Sequence, residues 1–253
     1  MLFLIFILGL SVGSFLNVCV DRLSKGKSLL GRSQCDFCHK SLEPVDLIPV
    51  LSFFVQKGRC RYCHKKLSWY YPFMELLTGM VFLFLWIYLP YSIYVKSLYL
   101  FLFSTLIVIF FADVKYQIIP DEMQVAFLAA SVALLVAQDG PFLWSALFRH
   151  LLEGAAVMAP MYLIYAFSKG RALGLGDVKF SFILGVFLGV LWGYIALYLG
   201  FVFGAVVGIY LLFAKKKKMK SKIAFGPFLV LGLTAVLFFS KQIMVILQFL
   251  RIR

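Results

Sequence analysis

Gly174-Leu175-Gly176-Asp177-Val178-Lys179 stands between two long apolar runs, and its carboxylate decides how the whole chain is read. A charge at or inside an apolar span is costly, so such residues mark functional sites when a partner can be named. The partner here is Asp113, which closes another apolar run in Ala112-Asp113-Val114-Lys115-Tyr116-Gln117-Ile118-Ile119-Pro120-Asp121. Gly174 and Gly176 remove side chains just ahead of Asp177, so a peptide backbone can approach that carboxylate closely. With Lys179 they form a candidate active-site loop at a membrane surface.

Composition supports the membrane half of this reading. The chain is 63% hydrophobic and 14% charged, whereas a soluble domain is roughly half apolar and a quarter charged. An all-α polytopic membrane protein follows. Apolar runs near 2–20, 72–89, 94–112, 122–137, 148–167, 178–191, 194–213 and 226–247 predict about eight transmembrane helices. The run 122–137 is short, and the division between 178–191 and 194–213 is open. No Lys or Arg precedes the first run and no small-residue cleavage site follows it, so it reads as a span and not as a cleaved leader. Three parts result: a first span at 1–20, a polar segment at 21–71, and a multi-span domain at 72–253.

The net charge of +14 does not call for nucleic acid. Twenty of the 25 Lys and Arg fall in 21–69, 113–121, 168–179 and 214–222, all on one side if the spans alternate. That bias makes the side cytoplasmic. Lys215-Lys216-Lys217-Lys218 then reads as an orientation anchor near anionic lipid. Asp113 and Asp177 both fall at this face. Gly185, Gly189, Gly193, Gly200, Gly204 and Gly208 recur at small-xxx-small spacing, which reads as close helix packing.

The polar segment carries Cys35-x-x-Cys38 and Cys60-x-x-Cys63, each pair followed by His-Lys. Four thiolates at this spacing suit one tetrahedral zinc. Two disulfides would need an oxidising compartment, and each CxxCH string also resembles a haem attachment site. A reducing, cytoplasmic location favours zinc on Cys35, Cys38, Cys60 and Cys63, with His39 and His64 left spare, either supporting the ligands from behind or exposed. Cys19 lies outside the set and reads as a small buried hydrophobe.

Paired carboxylates have a specific use. Two close like charges do not easily both ionise, so one proton is shared. The ionised member takes a proton from water, and the protonated member polarises a scissile carbonyl. Taken singly, each aspartate could instead be a hydrated residue at a span end. If helix ends decide, Asp177 at an N-terminus is the ionised member and Asp113 at a C-terminus holds the proton. Asp121 and Glu122, just after Pro120, read as first-turn acids of a helix. A transporter with a two-carboxylate proton relay, or a non-enzymatic zinc-bearing scaffold, would use the same residues differently. A transporter would show inverted repeats, and none is evident.

The ordered set of motifs resembles the type IV prepilin peptidases, membrane aspartic endopeptidases. The matching pieces are Gly13-Ser14-Phe15-Leu16-Asn17-Val18 with Arg22-Leu23, the two CxxC pairs, Asp46-Leu47-Ile48-Pro49 and Gly58-Arg59-Cys60-Arg61. Pro72, Glu75-Leu76, Thr78-Gly79, the stretch Asp113 to Asp121, Gly174 to Lys179 and Ile223-Ala224-Phe225-Gly226-Pro227 complete the series across nearly the whole chain. The resemblance implies cleavage of a short basic leader from prepilins or pseudopilins at a Gly-Phe junction, on the cytoplasmic side. It implies Asp113 and Asp177 as the catalytic pair, and N-methylation of the new terminus with S-adenosylmethionine. It places Gly58, Arg59 and Glu75 in the methylation-associated region, with Arg59 standing where the family often has Lys. Nothing in the chain resembles a soluble methyltransferase's glycine-rich nucleotide loop, so methylation comes from the resemblance alone.

Overall fold

The computed structural model describes residues 1–139, 144–214 and 224–251. Its eight α-helices are α1 (Leu2–Leu23), α2 (Leu51–Val55), α3 (Tyr70–Tyr88), α4 (Ile93–Tyr116), α5 (Asp121–Asp139), α6 (Trp144–Ser168), α7 (Leu175–Phe213) and α8 (Gly226–Arg251). Six of them (α1, α3, α4, α6, α7 and α8) are long and apolar enough to cross a membrane. Among the described residues the regular structure is helical, and the six apolar helices fit a multi-pass membrane protein, as the composition predicts. The Lys215–Lys218 run and Ile223 lie outside the described residues. The chain divides into two compact units, Met1–Val108 and Ile109–Arg253.

In the first unit α1 and α3 pack with almost nothing between their backbones. A Cβ added to Gly9 would lie 2.7 Å from Cα of Gly79, and one on Gly13 would lie 2.8 Å from Cα of Glu75. Small residues are what allow such approach in an apolar medium, where packing and not water drives helices together. Two polar groups of this seam find main-chain partners, while Asn17 Oδ1 is buried without one among the described residues. Asn17 donates to the carbonyl of Tyr71 at 3.4 Å, and Glu75 accepts from the amide of Val50 at 2.7 Å.

The second unit settles the division left open along 178–213. An unbroken helix of 39 residues would be about 58 Å long, far beyond the ~30 Å hydrocarbon core. Gly189 breaks it, with φ 78° and ψ 175°, a conformation open essentially to glycine. The chain reverses there. A Cβ on Gly193 would lie 3.4 Å from Cα of Gly185, although these positions would be about 12 Å apart on a straight helix. The first limb packs on α6, where a Cβ on Gly185 would meet Gly154 and Val157. The second limb runs antiparallel to α8: Gly232 abuts Ala196, and Gly200 abuts Phe228 and Leu229. The glycine series is thus mostly packing, as expected, but Gly189 is the turn itself.

Candidate active site and metal centre

Asp113 lies in the last turn of α4 and Asp177 in the first turn of α7. Both are buried, at 6% and 9% exposure, in a region where burial of a bare carboxylate is expensive. They lie within electrostatic reach of each other. Each is held by one main-chain amide. Gly226, the first residue of α8, donates to Asp113 Oδ2 at 2.7 Å, and Gly174 donates to Asp177 Oδ2 at 3.3 Å. Asp177 Oδ1 is buried and has no hydrogen-bond partner among the described residues.

Glycines line this pair because side chains would not fit. A Cβ on Gly226 would lie 2.8 Å from Asp113 Oδ2 and 3.1 Å from Ile119 Cδ1. One on Gly176 would lie 3.2 Å from Ile119 Cβ, and one on Gly174 would lie 3.2 Å from Asp177 Oδ2. Ile119 therefore wedges between Gly226, whose amide holds Asp113, and Gly176, which immediately precedes Asp177. The backbone that approaches Asp177 is its own loop, through Gly174. Gly226 belongs to a stretch that stood out in the sequence without a role; its role is to hold Asp113.

The helix-end reasoning needs correction here. Asp113 does sit at the C-terminus of its own helix, but its carboxylate accepts from the N-terminus of α8. Asp177 accepts at the N-terminus of α7. Both carboxylates thus meet a helix N-terminus, and the two ends do not separate them.

Lys179 turns away from this pair. Its Nζ reaches both Asp121 oxygens at 2.8 Å, joining the starts of α5 and α7. The two side chains are 47% and 66% exposed, and exposed pairs contribute only about 0.2–1 kcal/mol. Asp121→Asn is therefore expected to retain most of any cleavage activity, within a few-fold of the parent. A loss comparable to that of an Asp113 variant, in a peptide-cleavage assay, would place Asp121 in the chemistry.

The polar segment folds as two copies of one turn. Cys35 N–H donates to Lys40 O and His39 N–H to Cys35 O; Cys60 and His64 repeat this with Lys65 and Cys60. His39 and His64 adopt φ 55° and 57°, which the turn demands and His tolerates better than most residues. Both imidazoles are exposed. The four Sγ atoms all lie within 4.8 Å of one another, with Cys35 and Cys63 at 3.9 Å. Zinc with Zn–S bonds of about 2.3 Å would place its sulfurs about 3.8 Å apart. All the cysteines are free, and four convergent sulfurs suit one shared ion better than two haems or two disulfides. Burial raises the Cys35 thiol to about 11. At Cys60 burial also raises, but the amides of Cys63 and Tyr62 and the neighbouring thiols outweigh it and bring the group to about 7.

Around the knuckles, three residues act as clamps. Arg22 donates to the carbonyls of Leu29 and Arg32, each at 2.9 Å, and so shapes the loop after α1. Asp46 accepts from Glu43 N at 3.1 Å, Gln56 Nε2 at 2.9 Å and Tyr62 Oη at 3.3 Å. Glu75, 8% exposed, accepts from Val50 N–H and from the Ser14 hydroxyl. Val50 itself has φ 63°, a costly conformation for a β-branched residue that the Glu75 bond helps to hold. Gly58 has φ 66° and packs on the ring of Phe53. Glu75 and Gly58 are thus joined through α2, which one of them starts and the other backs.

Comparison with known proteins adds the family. A model described as "Bacterial Peptidase A24 N-terminal domain" matches residues 7–89, and one described as "Type IV leader peptidase family" matches residues 100–209. The chain is 31% identical over 235 residues to a prepilin leader peptidase/N-methyltransferase of Bacillus subtilis (strain 168), covering 92% of each chain. It is 35% identical over 227 residues to the protein of that name from Myxococcus xanthus (strain DK1622), covering 83% of this chain and 63% of the relative. It is 30% identical over 254 residues to a type 4 prepilin-like proteins leader peptide-processing enzyme of Escherichia coli O78:H11, covering 91% of each. No solved structure matches the chain significantly.

Proposed function

The chain belongs to the type IV leader peptidase family, and from that premise we propose that it cleaves the leader from prepilins or pseudopilins at the cytoplasmic face, using Asp113 and Asp177. One observation carries the assignment of residues: two buried aspartates on different helices, each anchored through one oxygen by a glycine amide. Anchoring fixes the carboxylates without consuming them. Asp177 Oδ1, buried and without a hydrogen-bond partner among the described residues, is the acceptor this reading assigns to the attacking water. One carboxylate takes a proton from that water as its oxygen bonds to the scissile carbonyl carbon. The other, protonated, donates to the carbonyl oxygen as negative charge builds there. Collapse of the tetrahedral intermediate breaks the C–N bond: the proton taken from water passes to the leaving nitrogen, and one hydroxyl of the intermediate returns its proton to the second carboxylate as the new carboxyl group forms. No covalent enzyme intermediate is needed.

Incubating the purified protein with a prepilin peptide tests this directly. A shortened product is expected. Its absence, in protein that is folded and membrane-inserted, would return the aspartates to a transport or scaffold role.

The four-sulfur site fits zinc, held by Cys35, Cys38, Cys60 and Cys63, and zinc there cross-links the two knuckles. The purified protein is expected to hold about one zinc per chain by elemental analysis, lost when Cys35 and Cys38 become Ser. Metal-free protein with reactive thiols would overturn the site. Cleavage should survive metal loss better than methylation, because the aspartates lie outside this segment.

Methylation of the new N-terminus, with S-adenosylmethionine as methyl donor, completes the proposal and rests on the family. The residues linked to it by resemblance do not themselves form a receptor for that cofactor. The Glu75 carboxylate is buried and occupied, and Arg59 stands among cations, a poor setting for a sulfonium. The geometry supports no methyl-transfer step through them.

A further inference from the structure

Two adjoining clefts lie at the mouth of α3, and together they have the chemistry of a ligand with an anionic head and an apolar tail. The first is a groove of about 390 Å³ lined by Phe54, Trp69, Pro72, Phe73 and Leu76, among others. Pro72, Phe73 and Leu76 belong to the first two turns of α3, a helix apolar enough to span the membrane. The second is a cleft of about 560 Å³ that shares Phe54 and Trp69 with the first and adds Lys57, Arg59 and Lys66. No acidic side chain lines it. Among the described residues, none of these three cations has a carboxylate within ion-pair distance.

The placement of the cations has a local cause. Lys57 and Gly58 both adopt left-handed backbone, at φ 52° and 66°, which turns the chain sharply out of α2. Arg59 and Lys66 face each other across a backbone bridge. One tight turn and one bridge thus bring three positive charges to one cleft against their mutual repulsion. Uncompensated like charge gathered in this way is costly unless an anion meets it.

The apolar surroundings say what kind of anion. Leu51, Phe54 and Val55 of α2 are 64%, 55% and 79% exposed, and Trp69 is 67% exposed just before α3 begins. A short helix that shows its large apolar side chains outward beside a membrane span, with a Trp at its side, belongs in the headgroup region of a bilayer. A soluble phosphate compound would use the cations and leave the aromatic groove open to water. We propose that this double cleft binds an anionic phospholipid, its phosphate between Lys57, Arg59 and Lys66 and an acyl chain along Phe54, Trp69, Phe73 and Leu76. The bound lipid seats the knuckle segment on the membrane beside α3. Its residues do not include the two aspartates, and the proposal does not depend on the peptidase reading.

The test uses the full chain in lipid nanodiscs that contain a trace of photoreactive phosphatidylglycerol or photoreactive phosphatidylcholine. Phosphatidylglycerol is expected to label the protein preferentially, and peptide mapping should find the label on Phe54, Trp69, Phe73 or Leu76. Each cation contributes about fivefold to affinity for an anionic surface. Lys57→Gln with Lys66→Gln should therefore lower phosphatidylglycerol labelling at these positions by about 25-fold and leave phosphatidylcholine labelling unchanged. Competition with millimolar inorganic phosphate should have no effect. Equal labelling by the two lipids, or label spread evenly over the lipid-facing helices, overturns the proposal without any variant being needed. Displacement of the label by inorganic phosphate would instead make this a site for a soluble anion, and displacement by S-adenosylmethionine would make it the methyl-donor site.

Discussion

Asp113→Asn and Asp177→Asn are each expected to reduce prepilin cleavage by about a thousandfold or more while leaving the protein in the membrane. The magnitude follows from the proposed roles, in which one carboxylate moves the proton of water while the other polarises the carbonyl, so that removing either disables the step. Asn keeps the shape of Asp and still accepts a hydrogen bond. The Gly226 and Gly174 amides thus keep their partners in the variants, and insertion should be normal. Because the pair acts as a unit, the double variant should be little slower than either single one. The measurement is product formed per inserted enzyme, with insertion read from the yield and melting of detergent-solubilised protein. Substantial cleavage by either single variant would remove that aspartate from the mechanism. Fully additive losses would mean that the two carboxylates act on separate steps.

How much of this site could be read from the chain follows from the range of each signal. Asp113 and Asp177 announce themselves because a carboxylate beside an apolar run is a local anomaly, visible without knowing what it touches. The four cysteines do so because a knuckle's spacing is dictated by one turn of backbone. The reversal within α7 was legible as a division but not at its true place. Six glycines share one spacing, and only backbone dihedrals distinguish Gly189, which turns, from Gly185 and Gly200, which pack. Glu75 was visible as a charged residue in a span, but its partner is the amide of Val50, 25 residues away. A main-chain N–H leaves no mark in the residue type, so no pattern in the sequence could name it. The same holds for the Gly226 amide on Asp113 across 113 positions. In both cases what can be read is the missing side chain or the odd charge, never the bond it permits.

That limit is why Gly226 offers the sharper test of the geometry. Gly226→Ala would put a methyl group 2.8 Å from Asp113 Oδ2 and 3.1 Å from Ile119 Cδ1, both inside ordinary contact distance. Asp113 cannot yield freely, because the same oxygen is hydrogen-bonded to the same residue's amide at 2.7 Å. The carboxylate must swing away and lose that bond, or the start of α8 must shift and carry the amide with it. Either movement displaces Asp113 relative to Asp177 by a fraction of an ångström up to about 1 Å, and misplacement on that scale costs about a hundredfold in rate. The loss should appear in kcat, because Gly226 touches the carboxylate proposed to carry the chemistry. Gly232→Ala separates this effect from simple damage to packing. Its methyl group would collide with the carbonyl of Ala196, between α8 and the second limb of α7 and away from the aspartates. Gly232→Ala should therefore lower melting temperature and yield, with residual cleavage per folded molecule closer to that of the parent. Gly226→Ala should show the opposite: near-normal melting and little cleavage. Parent-like turnover by Gly226→Ala would mean that the amide of α8 does not position Asp113, and that the aspartate reaches its working geometry by other contacts.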